Sequence, residues 1–162
     1  MSKPDLSTYG GALLEVGYAG QVVDLQYAEL DSRVNEGATA IDFGIAVAYG
    51  ANEISCKAIS ADADKILGIS ARWPIRPANQ SGDVTYAQRD ALPVMRKGNI
   101  FVVALENTAI GDAAISVTAQ GGKIGSTTGG AAGAGRVAIP GAVWQTATTA
   151  GQVGKVRMNS AV

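Results

Sequence analysis

The sequence predicts a mainly β protein, either a β-barrel or a jelly-roll-like sandwich, with an extended N-terminal arm. Apolar and polar residues alternate with a period of two in short stretches, for example over residues 43–47 and 54–58, and this period is typical of strands with one buried face. About eight to ten such stretches recur between turn residues, and no long helical pattern separates them. The length of 162 residues suits a single domain.

Residues 1–36 are predicted to form the extended arm, and residues 37–162 the β-barrel or sandwich domain. One short helix is predicted near the end of the arm, because Tyr27, Leu30 and Val34 have helical spacing. Upstream of them, glycines interrupt any helical pattern, since each costs about 1 kcal/mol relative to alanine inside a helix.

The arm is rich in large apolar side chains, so we expect it to lie on its own domain or on a neighbouring protein. Side chains of this kind are typical of an extended peptide that adds a strand to a partner or wraps around it. The residues predicted to make these contacts are Tyr9, Leu13, Leu14, Val16, Tyr18, Val22, Val23 and Leu25.

Two further segments of the domain are assigned from their glycines. Residues 92–105 are predicted to form a hairpin, since two apolar stretches flank Gly98 and Asn99, and both residues tolerate positive φ. Residues 121–135 contain seven glycines, and the rest are mostly alanine, serine and threonine. Such a segment buries too little apolar surface to order itself, so a long, flexible loop between two strands is predicted.

The side chains from which catalytic sites are usually built are scarce in this sequence. It contains no histidine, the commonest general base and a favoured ligand for zinc, copper and iron. Its single cysteine, Cys56, excludes an internal disulfide and a multi-cysteine zinc site. We therefore predict no enzymatic activity, no cofactor and no need for an oxidising compartment. Cys56 itself is predicted to pack in the core as a small hydrophobic residue.

The charge of the chain is low and unevenly distributed. Charged residues make up 17%, and all 14 acidic residues lie at or before Asp112. Residues 1–112 carry nine basic residues and a net charge of −5, whereas residues 113–162 carry four basic residues and +4. This separation suggests complementary halves of one domain, or complementary faces of neighbouring subunits.

Neither a nucleic acid nor a membrane is expected as a partner. Four scattered basic residues do not form the clustered stripe that a nucleic acid requires. No apolar stretch reaches the roughly 20 residues that a bilayer demands. The start of the chain, Ser2-Lys3-Pro4-Asp5, does not resemble a secretory signal, which needs a basic start and an uninterrupted apolar segment.

Two motifs suggest ligand sites but are better explained as structure. Asp62 and Asp64 resemble the start of a calcium loop, yet no closing glutamate follows, so a polar turn is favoured. The glycine-rich stretch lacks the spacing of a phosphate-binding loop or a dinucleotide fingerprint.

Aromatic and carboxylate side chains leave two other possibilities open. Trp73, Trp144 or Tyr86 could form an exposed platform for a ligand, although tryptophan is equally expected in cores and protein interfaces. Asp83 and Asp90 are the best available carboxylate pair for an unrecognised enzyme.

The order of short motifs along nearly the whole chain resembles the capsid cement, or head decoration, proteins of tailed bacteriophages. Each motif is weak alone, and the specificity lies in their order. The matching stretches are residues 17–24 (GYAGQVVD), 36–38 (EGA), 41–47 (IDFGIAV), 92–103 (LPVMRKGNIFVV), 111–113 (GDA), 139–146 (IPGAVWQT) and 154–158 (GKVRM). The long glycine-rich loop departs from the pattern.

The resemblance implies a β-barrel or jelly-roll-like domain bound to the outside of a virion capsid after assembly in the cytoplasm of the bacterial host. It implies the major capsid protein as a partner, homodimers or homotrimers of the chain itself, and no catalytic residues. The alternative is a receptor- or glycan-binding module of a phage tail or a cell surface, which would present Trp73, Trp144 or Tyr86 on an exposed face.

Overall fold

The computed structural model describes residues 17–72 and 85–159 and confirms the mainly β class. Within these residues, three single turns of 3₁₀ helix cover Leu25–Tyr27, Thr118–Gln120 and Thr127–Gly129. The strands of the described part are β1 (Glu29–Asn35), β2 (Ala46–Tyr49), β3 (Ser55–Ala58), β4 (Ile66–Ser70), β5 (Ala91–Val103), β6 (Ala113–Val117), β7 (Lys123–Ser126), β8 (Arg136–Trp144) and β9 (Val153–Met158).

The first five strands close into a barrel. Their order is β1-β3-β2-β4-β5, and β1 pairs back onto β5, so the ring has no open side. Among the described strands of the barrel, β1 and β3 form the one parallel pair. The buried side chains that form the core of the barrel are Ile41, Ile45, Val47, Cys56, Leu67, Tyr86, Leu92 and Val94.

The remaining strands form a second, antiparallel sheet in the order β5-β9-β8-β6-β7. One face of this sheet packs against side chains that point outward from the barrel, such as Ala46 and Ala48 of β2 and Ile69 of β4. Together they form a second core. Trp144 is the largest side chain in that core and is fully buried. β2, β4 and β5 are therefore covered on both faces.

β5 belongs to both parts of the fold and corrects the predicted hairpin. Its first half pairs with β1 and β4, and its second half, from Gly98 onward, pairs with β9. The predicted turn at Gly98 and Asn99 is wrong, because the strand runs through without reversing. Gly98 does have φ +117°, but the reason is a close approach: a Cβ there would lie 3.0 Å from Cα of Ala28.

The helix predicted around Tyr27, Leu30 and Val34 is also wrong. A single 3₁₀ turn ends at Tyr27, and the next residues form β1, which pairs with β3 and β5. Tertiary pairing has overridden a weak local preference. The division of the chain at residue 36 stays a prediction.

The glycine-rich stretch is not the long, flexible loop that was predicted. Residues 123–126 form β7, which pairs with β6, and a 3₁₀ turn follows directly. Ser126 opens this turn, since its hydroxyl accepts a hydrogen bond from the amide of Thr128. Some of its glycines allow a close approach that another residue would block; a Cβ at Gly122, for example, would lie 2.5 Å from the carbonyl oxygen of Ala46.

Candidate interaction surface

The described part of the arm adds a short extended segment to one edge of β5. The amide of Gly20 donates to the carbonyl of Phe101, and the amide of Phe101 donates to the carbonyl of Gln21. The amide of Val23 then donates to the carbonyl of Asn99 over 2.9 Å. Residues 20–23 thus occupy the edge of β5 that β9 leaves free.

A tight turn over residues 18–21 fixes the start of this segment. Gln21 donates its amide to the carbonyl of Tyr18, and Gly20 has φ +78°. The amide of Arg72 donates to the carbonyl of Gly20 over 2.7 Å, and a Cβ at Gly20 would lie 2.9 Å from that nitrogen. The glycine is required here both for its conformation and for the close approach.

The Arg72 side chain closes the turn by lying between two aromatic rings. Its guanidinium carbon is 5.2 Å from the centre of the Tyr18 ring and 5.5 Å from that of Phe43. Cation–π contacts at these distances each contribute about 0.5–1 kcal/mol at an exposed site. The beginning of the arm is therefore attached to the barrel by backbone and side chain together.

From this turn onward the arm presents apolar side chains to solvent. Leu25 is 75% exposed, Tyr27 65% and Tyr18 60%, and Val23 and Leu30 are also exposed. We call these five residues the arm patch. It borders an open groove of about 890 Å³, whose lining includes Val22, Ala71 and Pro93. Clustered exposed apolar residues of this kind mark surfaces that contact other molecules.

Four of the eight predicted contact residues lie in the described part of the chain. Tyr18, Val23 and Leu25 are exposed, whereas Val22 is half-buried, bridges to Ile100 and packs against the second core. The other predicted contact residues, which lie outside the described residues, are Tyr9, Leu13, Leu14 and Val16.

Three residues of this surface were not identified from the sequence. Tyr27 and Leu30 were assigned to a helix. Their large apolar side chains, which follow the predicted contact residues in the sequence, could have identified them as part of the surface. Arg72 gave no signal, because its contact with Tyr18 joins residues far apart in the chain.

A second cluster of polar residues holds the glycine-rich stretch in place. Arg136 forms a two-pronged ion pair with Glu106, and its Nη2 also donates to the carbonyls of Ser126 and Gly130. Burial raises the pKa of the Glu106 carboxyl, but hydrogen bonds from Arg136 and from the amide of Ser126 outweigh it, so the pKa lies below its usual value. Asp112 accepts from the hydroxyls of Ser126 and Thr128, which lower its pKa to about 2.

The pair of aspartates considered as a calcium loop lies in a polar turn, as the sequence favoured. Asp62 accepts hydrogen bonds from the hydroxyl of Thr118 and from the amide of Gly135. Asp64 accepts from the amides of Ser60 and Ala61 and pairs with Lys57 over 2.7 Å. Within residues 17–72 and 85–159, no group of three or more acidic or cysteine side chains could hold a metal ion.

The aromatic platform is wrong for two of its three candidate residues. Trp144 and Tyr86 are both fully buried, and each donates its polar hydrogen inside the fold, to the carbonyls of Gly125 and Ala71 respectively. Trp73 lies outside the described residues, as does Asp83, so the pairing of Asp83 with Asp90 stays untested.

Cys56 packs in the core of the barrel, as predicted, and is fully buried. Burial raises the pKa of its thiol to about 11, from an ordinary value of 9.0. At pH 8 this lowers the thiolate fraction roughly 100-fold, and the thiolate is the reactive form.

We therefore expect Cys56 to react with a disulfide reagent such as DTNB at least 100-fold more slowly in the folded protein than in urea. Absorbance of the released thiolate measures the rate. The unfolded chain serves as the control, and rapid stoichiometric labelling of the folded protein would contradict the assigned burial.

Comparisons with known proteins agree with this architecture. A family model described as structural cement protein (E217 gp24/Pam3 gp6) matches residues 6–159. Among solved structures, a chain of the capsid of Myoviridae phage XM1 matches with a TM-score of 0.66 and 22% identity, over 93% of this chain and 96% of that chain. No curated protein matches the sequence. Among the described residues, no helix has the length and apolar character to cross a membrane.

Proposed function

Because the chain belongs to the family of phage structural cement proteins, we propose that it binds the outside of a bacteriophage head and bridges neighbouring subunits of the major capsid protein. The family supports a structural role in the capsid, and we propose that the protein has no catalytic activity. The observation that carries the proposal is the arm patch, a group of exposed apolar side chains on a segment fixed to the edge of β5.

The arm patch suits a contact with other proteins because its side chains are apolar while its backbone is held. Fully burying a leucine or a residue of similar size contributes about 1.5–3 kcal/mol. The segment that carries Tyr18 and Val23 is already hydrogen-bonded to β5, so less conformational freedom is lost on binding than for a free peptide. In this proposal the predicted residues Tyr9, Leu13, Leu14 and Val16 extend the same contact.

We propose that the protein acts as a homodimer or homotrimer, assembled onto the virion in the cytoplasm of the bacterial host. An oligomer that engages several capsid subunits gains avidity, because each contact after the first is effectively intramolecular. Modest contacts repeated by many copies over the shell then resist the internal pressure of the packaged genome together.

The test is a variant with Leu25→Ser and Tyr27→Ser, added to phage heads that lack the cement protein. We expect at least a tenfold loss of apparent affinity, since about 1.4 kcal/mol of lost binding energy corresponds to a factor of ten. Gel densitometry of sedimented heads measures the bound copies.

A matched control carries Ile54→Ser and Ile110→Ser, which remove two other highly exposed apolar side chains that do not belong to the arm patch. The control is expected to bind like the unaltered protein, and both variants should keep its circular dichroism spectrum. If the arm variant binds normally, or if the control loses binding equally, the arm patch is not the shell-binding surface.

A further inference from the structure

A small cavity lies where one end of the barrel meets the second sheet, and its volume is about 50 Å³. Arg96 of β5 and Tyr49 of β2 line it. Its apolar lining comes from β4, β8 and β9, through Ile66, Leu67, Ile139, Pro140 and Met158. A space of this size holds a group of a few atoms, whereas sites for drug-sized ligands measure about 300–1,000 Å³.

Arg96 reaches this cavity from a charged cluster at the end of the barrel. Leu92 and Val94 of β5 belong to the core of the barrel, and alternate residues of a strand share a face, so Arg96 follows them on the inner side. Arg33 and Arg96 both donate to Oδ2 of Asp31, over 2.8 Å and 3.4 Å respectively. The two arginines therefore share a single carboxylate.

This cluster carries a net charge of +1. Hydrogen bonding from Arg33 holds the pKa of the Asp31 carboxyl below its usual value, so the carboxylate is ionised at neutral pH. Among ion pairs within residues 17–72 and 85–159, no other acidic side chain pairs with Arg33 or Arg96. Arg33 is the closer of the two arginines to Asp31, so the charge that is left unbalanced lies at Arg96.

Arg96 also has hydrogen-bond donors to spare. A guanidinium carries five N–H donors in a planar fork. Within the described part of the chain, the long bond from Nη1 to Asp31 is the one hydrogen bond that the Arg96 side chain forms. The side chain is 30% exposed, so a ligand can reach it. The planar fork of a guanidinium matches a carboxylate, whose two oxygens it can bind together.

The charge and the surroundings of the cavity decide which anion fits it. A carboxylate carries one negative charge and balances the cluster. A phosphate monoester carries about −1.5 to −2 at pH 7 and would leave surplus negative charge beside Asp31. Apolar side chains line the cavity together with the guanidinium, and they belong to the second core (Ile66, Ile139, Met158) and to the core of the barrel (Leu67). An ion pair is stronger in such surroundings than in water.

We propose that this cavity is a binding site for a single carboxylate group, which Arg96 holds through its free N–H donors. Tyr49, which is 42% exposed, borders the site next to solvent. The carboxylate has two possible sources, an acidic side chain of a neighbouring protein or a small free carboxylate. The assignment of the first source to the phage shell rests on the proposed function, whereas the site itself does not.

NMR of the free, full-length protein tests the site. The Nε–H signals of the arginines are followed while sodium acetate is added, and the variants Arg96→Lys and Arg157→Lys identify two of these signals by their loss. We expect the Arg96 signal to shift to saturation at millimolar acetate. Sodium phosphate should bind at least five times more weakly, and sodium chloride at equal ionic strength should produce less than a tenth of the acetate shift.

Arg157 is the internal control, because it is exposed on β9 and does not line this cavity. Its signal should move only in proportion to the salt added. The inference is overturned if acetate produces no saturable shift at Arg96, if it shifts Arg157 in the same way, or if phosphate binds more tightly than acetate.

Binding to phage heads that lack the cement protein distinguishes the two sources of the carboxylate. Arg96→Gln removes the cation while Arg33 still pairs with Asp31, and Arg157→Gln is the matched control. Both variants should keep the circular dichroism spectrum of the unaltered protein. At least a fivefold loss of apparent affinity for Arg96→Gln alone identifies an acidic side chain of the shell, and unchanged binding of both variants identifies a free carboxylate.

The two proposals fail separately. The acetate titration contains no heads, so the absence of a shift at Arg96 would leave the shell-binding role of the arm patch standing. Normal binding of the Leu25 and Tyr27 variant would contradict that role and leave the acetate result standing.

Discussion

Replacing Trp144 by alanine is expected to lower the free energy of unfolding by about 3–5 kcal/mol, the usual cost of removing a large aromatic side chain from a core. Trp144 is fully buried between the barrel and the second sheet. Its indole nitrogen donates to the carbonyl of Gly125 over 2.9 Å, which connects β8 to β7. A domain of this size is usually stable by only about 5–15 kcal/mol, so the variant should be marginal at 37 °C.

Urea unfolding followed by circular dichroism measures the effect, with Trp144→Phe as the control. Phenylalanine keeps most of the apolar contact but leaves the Gly125 carbonyl without its donor, for an expected cost of about 1–3 kcal/mol. A loss below 1 kcal/mol for the alanine variant would show that Trp144 does not connect the two parts of the fold as described.

Replacing Arg136 by alanine is expected to cost about 2–4 kcal/mol and to release residues 121–135. The guanidinium pairs with Glu106 through both nitrogens and also bonds the carbonyls of Ser126 and Gly130. Its removal takes the ion pair from a half-buried carboxylate, which keeps the hydrogen bond from the amide of Ser126, and takes a donor from two carbonyls. An unpaired buried charge is more costly than the intact pair is stabilising.

Hydrogen exchange of the amides of residues 121–135 reports the local effect, and thermal unfolding reports the global one. Arg136→Lys is the matched control: it keeps the charge but loses the planar fork, so part of the protection should disappear. Unchanged exchange in the alanine variant would mean that Arg136 does not order the segment.

The fold class was predictable from this sequence because short apolar stretches recur between turn residues, and several strands keep the period-two alternation, as in β9 and the second half of β5. Ala46, Val47 and Ala48 illustrate it, since they point alternately to the second core and to the core of the barrel. Two of the errors came from glycine. Gly98 looked like a turn, but it allows the backbone of Ala28 to pass close to a continuous strand.

The glycine-rich stretch was misjudged for a related reason. Composition indicated that residues 121–135 bury little apolar surface, and that is correct for most of the stretch. Their order comes instead from Arg136 and Glu106, which are 30 residues apart, and from Asp62, which bonds the amide of Gly135 across 73 residues. No local pattern reveals such contacts.

The candidate surface could be predicted in part. The apolar character of the arm pointed to Tyr18 and Leu25, which are exposed in the structure. The role of Arg72 depends on the turn at Gly20, and the exposure of Tyr27 depends on β1 being a strand. Both follow from tertiary pairing.

The continuity of β5 has a mechanical consequence. The strand extends over 13 residues, about 43 Å, and its two halves belong to the barrel and to the second sheet. Tension along it loads its hydrogen bonds with β1, β4 and β9 in shear, so many bonds carry the force at once and do not open in sequence. The arm is bonded to the same strand at Asn99 and Phe101. A pull on the arm is therefore passed to a strand that is hydrogen-bonded in both parts of the fold.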